Sequence, residues 1–326
     1  MSEAKTISVV MAASDFYAHT PELFQSLDAQ TTDDFHVIVV DDGSLEGCEL
    51  SSFDRAMVLR NMKRLGFGRA LNQAISLSLA RWEEEDLDKK YILIIQPEVI
   101  LHEQTLATLA TCLDERDDRV LAAPVMYRAI RTSSVEEELE IDFTDEMLYA
   151  GFEMTKSREL RFVNESDQLF GPPPECFMMR ASFIKRLQEK EAFLDTSLQL
   201  FPALIDLLWR TKLLGGRMES VRDATVWKQQ ARTVGKRMRD EMKQERLVRF
   251  ELHEVHVKLS PNLLRLRHAP WLLISWLKRF GEALTHPHLW VGYLRKPLLR
   301  FTVAKERADR FSKLGKRPVQ MKDWFV

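Results

Sequence analysis

Along the first hundred residues, short runs of β-branched and aliphatic residues alternate with stretches whose apolar positions recur every three or four residues. That alternation predicts βαβ units, with strands laid largely parallel in one sheet and helices covering its faces. Ile7 to Ala12 predicts the first strand. A helix follows, capped at Thr20, with Pro21 at the first helical position, where a missing N–H costs nothing, and Leu23, Phe24 and Leu27 on its inner face. Phe35 to Val40 predicts the second strand, which runs into the polar turn Asp41-Asp42-Gly43-Ser44. That is the carboxyl end of a strand, where open α/β sheets bind ligands. Met57 to Leu59 reads as a third strand, and Gly66-Phe67-Gly68 as a turn into a helix from about Arg69 to Trp82, with Ala70, Leu71, Ala74, Ile75 and Leu77 on its apolar face. Tyr91 to Ile95 makes a fourth strand with a second polar tip, Gln96-Pro97-Glu98, followed by a helix from Glu103 to Leu113 and a strand from Val120 to Ala123.

The pattern then loosens. Glu136 to Glu140 is an acidic run expected to form a solvated loop or helix face rather than a metal site. Beyond the turn Pro172-Pro173-Pro174, Cys176 to Met179 predicts a strand, Ile205 to Leu214 a helix stopped by Gly215-Gly216, and Val221 to Trp227 a last strand. From about residue 235 the periodicity is helical and the composition basic. The expected organisation is an α/β domain over residues 1–230 and a helical, basic region over 231–326.

Composition adds three constraints. With 45% apolar and 29% charged residues over 326 positions, the chain has enough apolar material for a full core and is not expected to be extensively disordered. Cys48, Cys112 and Cys176 are odd in number and share no C-x-x-C spacing, so neither a disulfide framework nor a zinc site is expected, and a reducing cytoplasm fits best. No apolar run approaches the roughly 18 residues of a spanning helix, and the N-terminus reads as a strand rather than an export signal. Charge is distributed unevenly. Residues 228–326 hold 23 Lys and Arg against 9 Asp and Glu, a net +14, which leaves −16 on the rest. A basic module of this kind is either a solvated helical surface or a contact for something anionic. Trp271, Trp276, Lys278, Arg279 and Phe280, continued by Trp290, Tyr293, Arg295, Lys296 and Arg300, place aromatics beside cations as interfacial helices do. The alternative is an amphipathic helix packed on the α/β domain. No nucleic-acid motif accompanies these residues, so the expected partner is an anionic membrane surface and not nucleic acid.

Taken in order over about 220 residues, the strand tips resemble the family-2 glycosyltransferases of GT-A fold, most closely their rhamnosyltransferase-like branch, which builds bacterial surface polysaccharides. The family's first-strand signature V-V-I-V-T-Y-N is met by Val9-Val10-Met11-Ala12-Ala13-Ser14-Asp15, which keeps the strand but not the Thr-Tyr-Asn. V-D-D-G-S stands intact as Val40 to Ser44, and the resemblance implies that Asp41 and Asp42 accept hydrogen bonds from the base and ribose of a nucleotide. N-x-G-F-x-x-x-x-N is met by Arg64 to Asn72, with Arg in place of the first Asn. Gly66 would let backbone approach the nucleotide there, Asn72 keeps the second Asn, and Arg64 or Arg69 would pair with a diphosphate. L-N-P-D becomes Ile95-Gln96-Pro97-Glu98, so Glu98 is the implied ligand for Mg²⁺ or Mn²⁺.

The family's later pattern F-D-E-x-F-F-x-Y-x-E-D-x-D-L-x-W-R lies without a gap on Leu194 to Arg210, matching Asp195, Asp206, Leu207, Trp209 and Arg210. Its acidic pair, which contains the general base, is replaced by Ala203 and Leu204, and neither can accept a proton. In the continued register the family's His becomes Lys228, which can neutralise a phosphate but cannot ligate a metal while protonated. Two functions follow. One is an inverting transfer of a sugar from a nucleoside diphosphate-sugar to a saccharide or lipid-linked acceptor, at the inner face of the cell membrane, with Asp206, Asp195 or Glu175 as the remaining candidate bases. The other is a catalytically impaired relative that binds or scaffolds. For Asp206, spacing also predicts a structural ion pair with Arg210 four residues on.

Overall fold

The computed structural model describes residues 6–14, 20–44, 56–82, 85–132, 140–156, 160–165, 169–198, 200–231 and 269–285. Asp15, Cys48, residues 136–139 of the acidic run and most of the basic region, including Trp290, Tyr293 and the cations around them, lie outside the described residues.

Four strands, β1 (Ile7–Ala13), β2 (Phe35–Asp41), β3 (Ala56–Arg60) and β4 (Tyr91–Ile95), run parallel in the order β3-β2-β1-β4. The sheet continues past β4 through β10 (Cys176–Arg180), β6 (Arg119–Thr132) and β11 (Arg217–Ala231) to the short β5 (Val99–Leu101), with β7 (Glu140–Tyr149) hydrogen-bonded to β6. β10 is antiparallel to both its neighbours, and β11 lies parallel to β6. A two-stranded ribbon, β8 (Gly151–Met154) and β9 (Leu160–Val163), stands apart from this sheet. The α/β class is as expected. The mixed second half follows from β10, which enters against the direction of β4.

β1, β2 and β4 are buried along their whole length, because helices cover both faces of a parallel sheet and each strand must be apolar on both sides. Alternate residues feed two cores. Val10, Ala12, Ile38 and Ile94 pack with α2 (Phe67–Arg81), α4 (Ala181–Lys190) and α5 (Leu200–Leu213). Val9, Met11, Val39 and Leu93 pack with α1 (Thr20–Asp28) and α3 (Thr105–Asp114).

Several predicted boundaries move. β6 and β11 extend well beyond their apolar centres, because each supplies backbone partners to the other over a long register and pairing no longer needs an apolar residue at every second position. Glu140, expected in a loop or helix, opens β7. α5 begins at Leu200 rather than Ile205 and ends as predicted: Gly215 adopts φ +80°, its N–H donates to the Lys212 carbonyl at 3.0 Å and that of Gly216 to the Thr211 carbonyl at 3.0 Å. This Schellman closure satisfies carbonyls that the helix end would otherwise leave open. The last described helix, α6 (Ala269–Thr285), carries Trp271, Leu273, Ile274, Leu277, Phe280 and Leu284 exposed. Among the described residues no helix is long and apolar enough to cross a membrane.

Candidate functional site

The parallel order β3-β2-β1-β4 reverses direction of growth between β1 and β4, so the carboxyl ends of those strands flank a topological switch point. β2 and β4 sit one strand spacing to either side of β1, which puts their tips about 10 Å apart, the scale of a diphosphate and its substituents.

At the β2 tip both acidic residues have internal donors. Asp41 is fully buried; its Oδ1 accepts from the Ser44 N–H at 3.0 Å and the Ser44 hydroxyl at 2.5 Å, and its Oδ2 lies 3.5 Å from the Arg60 guanidinium. Asp42 Oδ1 accepts from Asn61 at 3.0 Å and from the Leu65 N–H at 2.8 Å, and its Oδ2 accepts from the Gly66 N–H at 2.8 Å. Asp42 therefore ties the β2 tip to the start of α2, as a carboxylate suits the unpaired N–H groups at a helix N-terminus. Gly43 makes the close approach possible: at φ +71°, a Cβ there would lie 2.7 Å from the Arg64 nitrogen. The result is a braced loop that holds Gly66, Arg64 and Arg69 exposed at the start of α2. Asp41, with no exposed surface, braces this loop through Ser44 and Arg60.

Asn72 and Asp195 also meet at α2. The Asn72 amide donates to the Leu194 carbonyl at 3.1 Å and accepts from the Leu194 N–H at 2.9 Å, while the Asp195 carbonyl packs beside Gly68. Asp195 Oδ1 closes its own turn by accepting from the N–H and hydroxyl of Ser197, at 2.9 and 2.6 Å.

The β4 tip carries the second cluster. Glu98 follows β4 half-buried, and its carbonyl accepts from the Gln229 N–H at 2.9 Å, which fixes β11 alongside. Lys228, one residue earlier on β11, donates to Glu175 Oε1 at 2.9 Å. Glu175 precedes β10, and its carbonyl accepts from the Gln96 N–H at 3.0 Å. Tyr149, at the end of β7, donates its hydroxyl to the same Glu175 Oε1. Glu175 Oε2 is enclosed without a hydrogen-bond partner. Burial works to lower the Lys228 pKa, but the charges of Glu175 and Glu98 and the hydrogen bond to Glu175 outweigh it, so the group is raised and stays an ammonium. Burial first, then Glu175 and Glu98, pushes the Tyr149 phenol up, so it stays a donor. Sequence had offered Glu175 as a base. Tyr149 gave no signal, because it reaches the site only through the pairing of β7 with β6.

Asp206 does not reach these tips as a free carboxylate. It is fully buried and accepts from Arg210 Nε at 2.8 Å, the i,i+4 pair that its spacing predicted. Arg210 also donates to the carbonyls of Ala192 at 3.2 Å and Phe193 at 2.6 Å. A carboxylate enclosed in this way holds α5 to the preceding loop, which corrects its candidacy as a base. Ala203 and Leu204 are buried in the core.

The residues at the β4 tip offer a divalent cation little beyond Glu98. No group of three or more His, Cys, Asp or Glu converges among the described residues, so a divalent ion here would rest on one tip carboxylate and on substrate oxygens. Of the two carboxylates near the tip, Glu175 already accepts from an ammonium and a phenol on one oxygen and has the other enclosed.

The family model described as "Glycosyl transferase family 2" matches residues 8–188, more than half of the chain. No curated protein matches it by sequence. Among solved structures, GalNAc-T7 with UDP, GalNAc and Mn²⁺ superposes with a TM-score of 0.57 at 13% identity, covering 80% of this chain and 49% of that one, so the chain spans about half its length. Residues 1–349 of S. aureus TarS in complex with UDP superpose with a TM-score of 0.50 at 14% identity, covering 95% of this chain and 89% of that one. The mannosyltransferase PcManGT from Pyrobaculum calidifontis, with GDP-Man and Mn²⁺, gives 0.50 at 14%, covering 96% and 86%. At these identities the likeness is one of fold.

Proposed function

The chain belongs to glycosyl transferase family 2, and from that premise we propose that it binds a nucleoside diphosphate-sugar across the β2 and β4 tips and transfers the sugar, with inversion, to a saccharide or lipid-linked acceptor in surface polysaccharide synthesis. One observation carries the reading. The switch point of the sheet places the braced loop with exposed Arg64 and Arg69 and the second tip with Lys228 at the carboxyl ends of β2 and β4, which lie two strand spacings, about 10 Å, apart. In such a transfer the acceptor oxygen forms its bond to the anomeric carbon as the bond to the diphosphate breaks, the leaving oxygen takes the electron pair, and the acceptor's hydroxyl proton passes to water or to Asp195, the partly exposed carboxylate among the candidate bases. Arg64, Arg69 and Lys228 are the groups available to meet that growing negative charge. Asp42 and Gly66 position the loop under the nucleotide, and Asn72 and Asp195 hold α2 against the segment before α5.

Calorimetric titration with UDP, dTDP and GDP tests the binding. One of them should bind with measurable heat, and a folded protein that binds none of them ends the proposal.

A second reading is favoured by the burial of Ala203 and Leu204 in the core. With no carboxylate at those positions, the site would bind the donor and turn it over slowly or not at all, since a general base is worth about 10²- to 10⁴-fold. Release of nucleoside diphosphate from the donor that binds, measured with and without saccharide acceptors, separates the two.

The same function places the chain on the cytoplasmic side of a membrane, docked through its basic region. On α6 the residues Trp271, Leu273, Ile274, Leu277, Phe280 and Leu284 are exposed on one half of the helix circumference with Lys278 beside them, as in a helix lying in a bilayer interface. The net +14 of residues 228–326 matches anionic headgroups. Co-sedimentation with anionic liposomes should fall with added salt and with truncation near residue 260; equal binding to neutral vesicles would remove the electrostatic part of this reading.

A further inference from the structure

We propose that the nucleoside diphosphate is held at the β4 tip without a divalent cation, its charge met by the Lys228 ammonium, with Glu175 and Tyr149 as the residues that position that ammonium. This rests on the reading that the strand tips bind a nucleoside diphosphate.

The argument begins with how firmly Lys228 is placed. β11 is paired on both sides where Lys228 sits, to Arg128 of β6 and to Val99 of β5, and the next residue, Gln229, is bonded to the Glu98 carbonyl at 2.9 Å. The backbone therefore fixes the Lys228 side chain beside the tip that carries Glu98. Glu175 then fixes the ammonium itself at 2.9 Å, and Tyr149, bonded to the same carboxylate oxygen, holds Glu175 in that orientation. An isolated buried carboxylate would be costly at this position. Paired with an ammonium that is a quarter exposed, it becomes the counter-ion of a fixed cation.

An ammonium has three donors and Glu175 takes one of them, which leaves two for phosphate oxygens on the exposed side. A divalent ion bound at Glu98 would have to approach this same ammonium, and like charges at that range oppose one another. Glu175, the other carboxylate at this tip, is already bonded to Lys228 and would not join Glu98 on such an ion. Glu175 offsets only part of the charge of the quarter-exposed Lys228, which still directs its remaining donors at the diphosphate, and the exposed Arg64 and Arg69 at the β2 side add positive charge. Glu98 is then an acceptor for hydroxyl groups rather than a metal ligand.

The test uses the full chain and calorimetric titration with UDP and GDP, once with EDTA and once with Mn²⁺. The expected result is the same affinity within about twofold in both buffers. Lys228→Met should weaken binding at least about tenfold in both, and Lys228→Arg should restore most of it, since a second cation can take the same charge though not the same donor geometry. Because Lys228→Met leaves Glu175 unpaired, the double variant Lys228→Met/Glu175→Gln removes both charges together; it should melt close to the parent and still bind weakly. Binding that needs Mn²⁺, or binding unchanged in the folded double variant, overturns the metal-free assignment while nucleotide binding stands. Failure of UDP, dTDP and GDP to bind in either buffer overturns the site itself, and this inference with it.

Discussion

The two halves of the sheet use their acidic residues in opposite ways. In the parallel half, Asp41 and Asp42 accept mainly from the Ser44 N–H and hydroxyl, Asn61, and the Leu65 and Gly66 N–H groups, with the half-exposed Arg60 3.5 Å from Asp41, and so brace a loop on which Arg64 and Arg69 are exposed. In the mixed half, Glu175 and Asp206 are each matched to a cation, Lys228 and Arg210. A carboxylate bonded chiefly to backbone N–H groups shapes a loop. One bonded to an ammonium or guanidinium spends that cation's charge, wholly for the enclosed Arg210 and partly for Lys228, which stays a quarter exposed. On the proposed reading, the first half is the one that receives an anion. The second is built chiefly to hold itself together, with Lys228 as the point where the two purposes overlap.

Substitutions can sharpen or break this contrast. The largest effect is expected from Leu204→Asp, which would return a carboxylate to the position where the family carries one. Leu204 is 1% exposed, so the change removes a core side chain and buries an unpaired charge, a loss expected to exceed about 4 kcal/mol. Chemical denaturation should show a protein that is unfolded or nearly so, with no gain in turnover. A folded, more active variant would mean that α5 opens towards the tips. Next comes Arg210→Ala, which takes the guanidinium from the buried Asp206 and strips donors from the Ala192 and Phe193 carbonyls; about 3–5 kcal/mol is expected, read from the shift in denaturation midpoint. A loss under about 1 kcal/mol would make the pair incidental. Asp42→Ala should cost less, about 2–3 kcal/mol, because the N–H groups it releases at the start of α2 are near solvent and water can replace part of the bonding. Its nucleotide affinity should fall by more than its stability predicts, since the loop that holds Arg64 and Arg69 is no longer braced. Unchanged affinity would detach the loop from binding.

The parallel half was largely legible. β1, β2 and β4 are continuous apolar runs, and helix periodicity marked α2, so period and turn residues sufficed. Less could be read where pairing rather than apolar pattern sets the element. β7 and the outer lengths of β6 and β11 carry charged and polar residues, and they are strands because their neighbours supply hydrogen bonds. The site shows the same division. Motif spacing brought out Asp42, Gly66, Glu98 and Lys228, and i,i+4 geometry anticipated the Asp206–Arg210 pair. Nothing local linked Tyr149, Glu175 and Lys228, which come from three separate segments and meet only in the folded sheet.

By itself, then, the sequence determined that this chain forms an α/β sheet with polar strand tips, and that Ala203, Leu204 and Lys228 replace two carboxylates and a histidine, because those properties follow from residue type and spacing along one segment. Tertiary structure decided which carboxylates remain open to a ligand. Availability depends on what lies opposite each one, and the partners of Asp41, Glu175 and Asp206 were set by strand order, by β11 passing beside β4's tip and by the turn of α5, none of which is a property of the residues alone.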